Sequence, residues 1–163
     1  MRNENILRLV IKSFLLFIFI GNCNVAYSQE FGFSGGVSYE KQFLGEAGLL
    51  YGTALYGPCT PIGYAGTKLS TEFNFNSNRF LLGLKLSCEF DFALFGARLS
   101  VIDYTDFKLH DLRFIPEVGL TCLGVFGFYY GWNVPLTSER IEWVSSNRIT
   151  FIINIDKELF DNL

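Results

Sequence analysis

The chain has one histidine and no Cys-x-x-Cys pair, so it has almost no material for a zinc site. It carries no basic block and its formal charge is −3, which argues against nucleic acid as a partner. Charged residues make up 18%, below the roughly one quarter usual in soluble domains. Proline is scarce, with 4 residues, and no segment keeps a helical period over a useful length. No apolar run reaches the ~20 residues that a membrane-spanning helix needs. The 163 residues suffice for one domain, and no linker divides them.

The N-terminus reads as an export signal. Arg2, Arg8 and Lys12 precede the apolar stretch Ser13 to Gly21, and Ala26 to Ser28 offer small residues at a cleavage site. The expectation is a signal peptide over residues 1–28 and a mature domain over 29–163. A lipoprotein reading would use Cys23, but Asn22 stands before it where a small residue is needed. Removing residues 1–28 takes Arg2, Arg8, Lys12 and Glu4 from 13 basic and 16 acidic residues, which leaves a net charge of −5. Cys59, Cys88 and Cys122 remain, an odd number that cannot all pair within one chain.

What the mature chain does have is aromatic bulk and a period of two. Half the sequence is hydrophobic and 17% is aromatic, with 18 Phe, and there are 16 Gly. In Arg79 to Phe92, the residues Phe80, Leu82, Leu84, Leu86, Cys88, Phe90 and Phe92 alternate with Leu81, Gly83, Lys85, Ser87, Glu89 and Asp91. Such alternation marks a two-faced strand. Similar segments run from about Glu30 to Glu40, Glu46 to Tyr56, Ile62 to Phe75, Leu94 to Tyr104, Leu112 to Leu123, Val125 to Val134 and Asn147 to Asp156. Gly57 to Pro61 and Asn76 to Arg79 read as turns, Thr105 to Asp111 as a polar loop, and Pro135 to Ser146 as a longer loop carrying Trp143. Eight strands of about ten residues, an even number, predict an all-β, antiparallel up-and-down barrel.

A soluble barrel would turn its apolar face inward, and a membrane barrel inverts this. The polar face here is rich in Gly and Ser, while the apolar face is crowded with rings that would overfill an eight-stranded interior. The expectation is therefore a transmembrane barrel with a filled lumen. Lys68, Glu72, Lys85, Glu89, Asp91, Arg98, Glu117 and Arg148 would point inward and pair. An ion path or proton site is the functional reading of that set, and a plug of salt bridges is the structural one. Phe31, Tyr39, Phe73, Phe75, Phe90, Phe92, Tyr130 and Trp132 would form aromatic girdles at the two membrane interfaces.

Phe114 to Leu120, Tyr129 to Leu136 and Asn147 to Ile155 carry a resemblance to the small outer-membrane barrels of Gram-negative bacteria, typified by the eight-stranded OmpA and OmpX, and to barrels common in Bacteroidetes. Phe160 is followed by Asp161, Asn162 and Leu163, a departure from barrels that end on an aromatic residue. The resemblance implies an outer-membrane location, termini in the periplasm, and partners limited to outer-membrane lipids and the barrel-insertion machinery. No cofactor, metal or nucleic acid is expected, and the resemblance names no protein partner. A structural, adhesion or envelope-assembly role follows. A lipid A-modifying enzyme and a soluble exported ligand-binding barrel are the alternatives. For the enzyme, His110 is the one candidate base, with Asp111 beside it and Asp103 and Asp106 nearby, but no Ser lies close in sequence. The blander reading of this segment is a solvated polar loop.

Overall fold

The structure is a computed structural model, and it describes residues 30–56, 61–74, 80–122, 124–138, 140–142 and 144–155. The expected signal peptide, the girdle residue Phe75, the turns around Cys59 and Asn76, Trp143 and the C-terminal residues from Asp156 lie outside the described residues. Eight strands are formed: β1 Glu30–Tyr39, β2 Phe43–Tyr56, β3 Pro61–Asn74, β4 Leu82–Phe92, β5 Phe95–Thr105, β6 His110–Cys122, β7 Phe126–Trp132 and β8 Asn147–Ile155. After Asn133, β7 resumes for Val134–Pro135, still paired with β6. Among the described residues there is no helix.

Every strand pairs antiparallel with its sequence neighbour, and β8 pairs with β1, so the sheet closes on itself. The stagger of the closure follows from the register. From Glu30 the cross-strand partners run through Gly52, Gly66, Glu89, Arg98, Glu117 and Gly131 to Arg148. Arg148 precedes Ile149, which faces Tyr39, so the circuit returns to β1 at the level of Glu40, 10 residues from its start. A shear of that size tilts the strands steeply and leaves an interior just wide enough for side chains. The same circuit places Glu89, Arg98, Glu117 and Arg148 on one tier of the inner wall, with only Gly131 between Glu117 and Arg148.

Alternation sets the faces. Along β4, Lys85, Ser87, Glu89 and Asp91 are buried, while Leu84, Leu86, Phe90 and Phe92 are exposed. Inward glycines make room for rings. Tyr64 lies against Gly52 and Gly66, and Tyr129 against Gly96 and Gly127, where a Cβ would collide with the ring or its hydroxyl.

The two ends differ. At the end where β1 begins and β8 ends the turns are tight, with Ala93 (φ 54°) between β4 and β5 and Gly124 (φ 79°) between β6 and β7. A side chain on Gly124 would strike Tyr64, so glycine is required there on two counts. Val125 tucks into this mouth against Leu50, Ala54 and Tyr64. At the other end the long loop turns inward rather than out. Ile141 and Val144 pack on Leu44, Leu81, Ile102, Tyr104 and Ile115 and cap the mouth.

Several boundaries differ from the sequence expectation. β2 starts at Phe43 rather than Glu46. The polar loop shrinks to residues 106–109, because Thr105 ends β5 while His110 and Asp111 open β6. Asp111 is fully buried, which corrects the solvated-loop reading at that position.

Candidate functional site: the charged interior

The side chains between the two apolar caps are charged, buried and mutually bonded. Glu72 on β3 is a hub. It receives Lys85 Nζ (2.6 Å), Arg148 Nη2 (2.7 Å) and the Tyr104 hydroxyl (2.8 Å). Glu46 on β2 is a second hub, with Lys85 Nζ at 2.7 Å and Lys68 Nζ at 2.8 Å. Arg98 Nε donates to Glu117 Oε2 (2.6 Å), and the Thr150 hydroxyl donates to Glu117 Oε1 (2.8 Å). Arg148 reaches both Glu117 (3.5 Å) and Glu40 (3.4 Å), which ties the two groups of ion pairs into one network.

All eight charged residues expected in the lumen are buried. Six of them, Lys68, Glu72, Lys85, Arg98, Glu117 and Arg148, are linked through short contacts that run via Glu46 and Arg148. Glu89 sits at the edge, 4.0 Å from Lys68 and hydrogen-bonded to Asn154 Nδ2 (2.8 Å). Asp91 stands apart from the cations and accepts from the Tyr129 hydroxyl (2.6 Å) and Thr121 Oγ1 (3.3 Å). Sequence reasoning missed Glu46, Glu40, Asp111 and Arg113 as network members. Glu46 shares a strand face with Leu44 and Leu50, so polarity does not mark that face. Arg113 Nη2 binds Asp111 Oδ2 (2.6 Å), and the same oxygen accepts from Ile141 N (2.9 Å), which pins the capping loop. Asn133 Nδ2 adds bonds to Glu40 (2.7 Å) and Ser145 O (2.8 Å). Glu40, in the β1–β2 turn, has its carboxyl pushed above the ordinary value by burial, against the pull of Arg148.

On the outside, the girdle residues Phe31, Tyr39, Phe90, Phe92, Tyr130 and Trp132 are exposed, and Phe73 is half-buried. Rings meet near both ends, Phe31 with Tyr51 (4.8 Å between centroids) and Tyr39 with Phe43 (5.0 Å). The band between them is aliphatic where Leu49, Leu69, Leu86 and Val101 face one another in register.

His110 Nδ1 lies 3.1 Å from Asp103 Oδ2 on the exposed face. The hydroxyl opposite it in register, on Thr105, accepts from Phe107 N (3.0 Å) and so serves the turn. Among the described residues no three His, Cys, Asp or Glu side chains cluster as metal ligands. No protein-family model, curated protein or solved structure matches the chain.

Proposed function

We propose that this chain is an exported, integral outer-membrane β-barrel protein of the OmpA and OmpX kind, with a filled lumen and a non-enzymatic role in envelope structure, adhesion or envelope assembly. The observation that carries the reading is the inversion of its faces. Charged side chains are buried inside, while among the described residues 26 large apolar side chains lie exposed, from Leu86 at 37% to Phe31 at 76%. Covering half of such a side chain is worth about 1 kcal/mol, so the outward face would leave roughly 20–30 kcal/mol of transfer energy unused in water. That exceeds the ~5–15 kcal/mol net stability of a typical domain, and lipid is the solvent that recovers it. Dimensions agree. Ten residues rise ~33 Å along a strand, or roughly 24 Å across a barrel tilted by ~43°, against an apolar band ~25 Å tall.

The interior network supports a plug rather than a pore, because short ion pairs reach across the interior between strands that are not neighbours, from β4 to β2 and from β8 to β3, under a capped mouth. The partners in this reading are outer-membrane lipids and, during biogenesis, the barrel-insertion machinery. The test is gel mobility of outer-membrane fractions with and without boiling in detergent. A closed barrel has no edge from which to unravel, so a faster-migrating unboiled band in that fraction is expected. Recovery as a water-soluble periplasmic or secreted protein would mean that the lipid assignment is wrong and that a soluble barrel is the better account.

A lipid A-modifying enzyme is the second reading, favoured by the Asp103–His110 contact, which orients an exposed imidazole. An unchanged lipid A profile on deleting the gene or replacing His110→Ala is the outcome expected of the non-enzymatic role.

A further inference from the structure

Arg98 is fully buried, yet only part of its head group is bonded. Nε donates to Glu117 Oε2 (2.6 Å), while Nη1 and Nη2 meet no acceptor among the described residues. A guanidinium carries five N–H donors, and a buried ion pair repays its desolvation only when hydrogen bonds take up the protons left over. Arg148, on the same tier, is the satisfied case: its three nitrogens donate to Thr150, Glu72 and Tyr104.

Two gaps open beside Arg98. Elsewhere opposite charges close up, as Lys85 does on Glu46 (2.7 Å) and Glu72 (2.6 Å). Arg98 Nη1 stops 4.0 Å from Glu46 Oε1, and Lys68 Nζ stops 4.0 Å from Glu89 Oε2. Both separations are too long for a hydrogen bond and short enough for one small molecule to bridge. Glu89 is the register partner of Arg98, so the gaps adjoin. Asn154 gives its Nδ2 to Glu89 Oε1 (2.8 Å), and its buried Oδ1 meets no donor among the described residues. Short side chains border this level. Ser87 and Ser100 are the next inward residues along β4 and β5 and bond each other (2.9 Å), and Ser34 faces Asn154 in register. The Tyr129 ring, 5.0 Å from Arg98 Cζ, covers one face of the guanidinium and leaves its edge for hydrogen bonds.

Charge and size select the occupant. An anion that took the Nη donors would sit among Glu46, Glu89 and Glu117. A metal cation would sit against the guanidinium and Lys68. A neutral molecule that accepts from Nη and donates to a carboxylate suits both signs. Ile141 and Val144 close the barrel at one end and Val125 at the other, so the occupant is small.

We propose that the edge of Arg98 is a built water site, where enclosed water accepts from Nη1 and Nη2 and donates to the Glu46 and Glu89 carboxylates. The plug is then part protein and part water. The site lies inside the barrel whichever solvent the outward face meets, so it stands or falls separately from the proposed function.

The test is a crystal structure of the folded protein at a resolution that shows ordered water, from crystals with and without a bromide soak. Water density within ~3 Å of Nη1 and Nη2, with no anomalous bromide peak there, is expected. Either a bromide peak at Arg98 or a guanidinium that bonds Glu46 and Glu89 directly, with no water between, would overturn the proposal. The double variant Arg98→Met with Glu117→Gln removes the donors without stranding a charge on Glu117. It should lose that density, and density that persists in it would show that other groups hold the water.

Discussion

Glu72 shows what a single residue carries in this interior. It holds Lys85, Arg148 and Tyr104 at once and is fully buried. Removing one partner of a buried pair leaves charge stranded, which costs far more than the intact pair is worth. Glu72→Ala is therefore expected to lose about 3–5 kcal/mol of stability by denaturant unfolding in micelles, and Glu72→Gln less, because the amide still accepts one bond. Asp106, in the exposed loop, acts on a smaller scale. The backbone N–H groups of Leu109 and Lys108 donate to its carboxylate (2.8 and 2.9 Å) and hold it below the usual carboxylate range. Its contribution is thus present above the unfolded-state value and lost as the pH falls through the folded one. Titration of the Asp106 carboxyl followed by NMR should show the low midpoint, together with acid loosening of Phe107, which is held at φ 68°. Single residues were legible where the pattern around them was clean. Lys85 and Glu89 stand out between leucines and phenylalanines. Asp111 did not, because a run of polar residues reads as a loop until pairing shows that it starts a strand.

The same logic governs whole elements. β4 could be read directly, since its outward positions are apolar and its inward ones are glycine, serine or charged. β2 was harder, because Leu44, Leu50 and Ala54 face inward to build the two caps, so its inner face mixes apolar with charged residues. Ile141 and Val144 were missed for a related reason: loops are expected in water, and only the closed mouth gives them something to cover. Ile141→Ala should leave a cavity under that cap, destabilise the protein by about 2–4 kcal/mol and expose the 136–146 loop to protease. On the outer face, Leu69 sits in the middle of the aliphatic band. In lipid, Leu69→Arg should cost about 2–4 kcal/mol, whereas the same change on a water-facing surface would stay within ~0.5 kcal/mol. Unfolding from vesicles measures the difference.

At the scale of the molecule, alternation predicted eight strands but could not supply the closure. Pairing of β8 with β1 and the ten-residue stagger arise from the register of every strand with the next, and no single segment encodes them. Closure is what turns a set of two-faced strands into an enclosed charged interior and a continuous apolar exterior, and the central claim is that this exterior meets lipid. The most direct test is a nitroxide at Leu69→Cys, in a background lacking the other cysteines, in protein reconstituted into vesicles. The account predicts strong relaxation by oxygen dissolved in the bilayer and little by a water-soluble nickel complex. Strong relaxation by the nickel complex, with none of the protection that lipid gives, would contradict it.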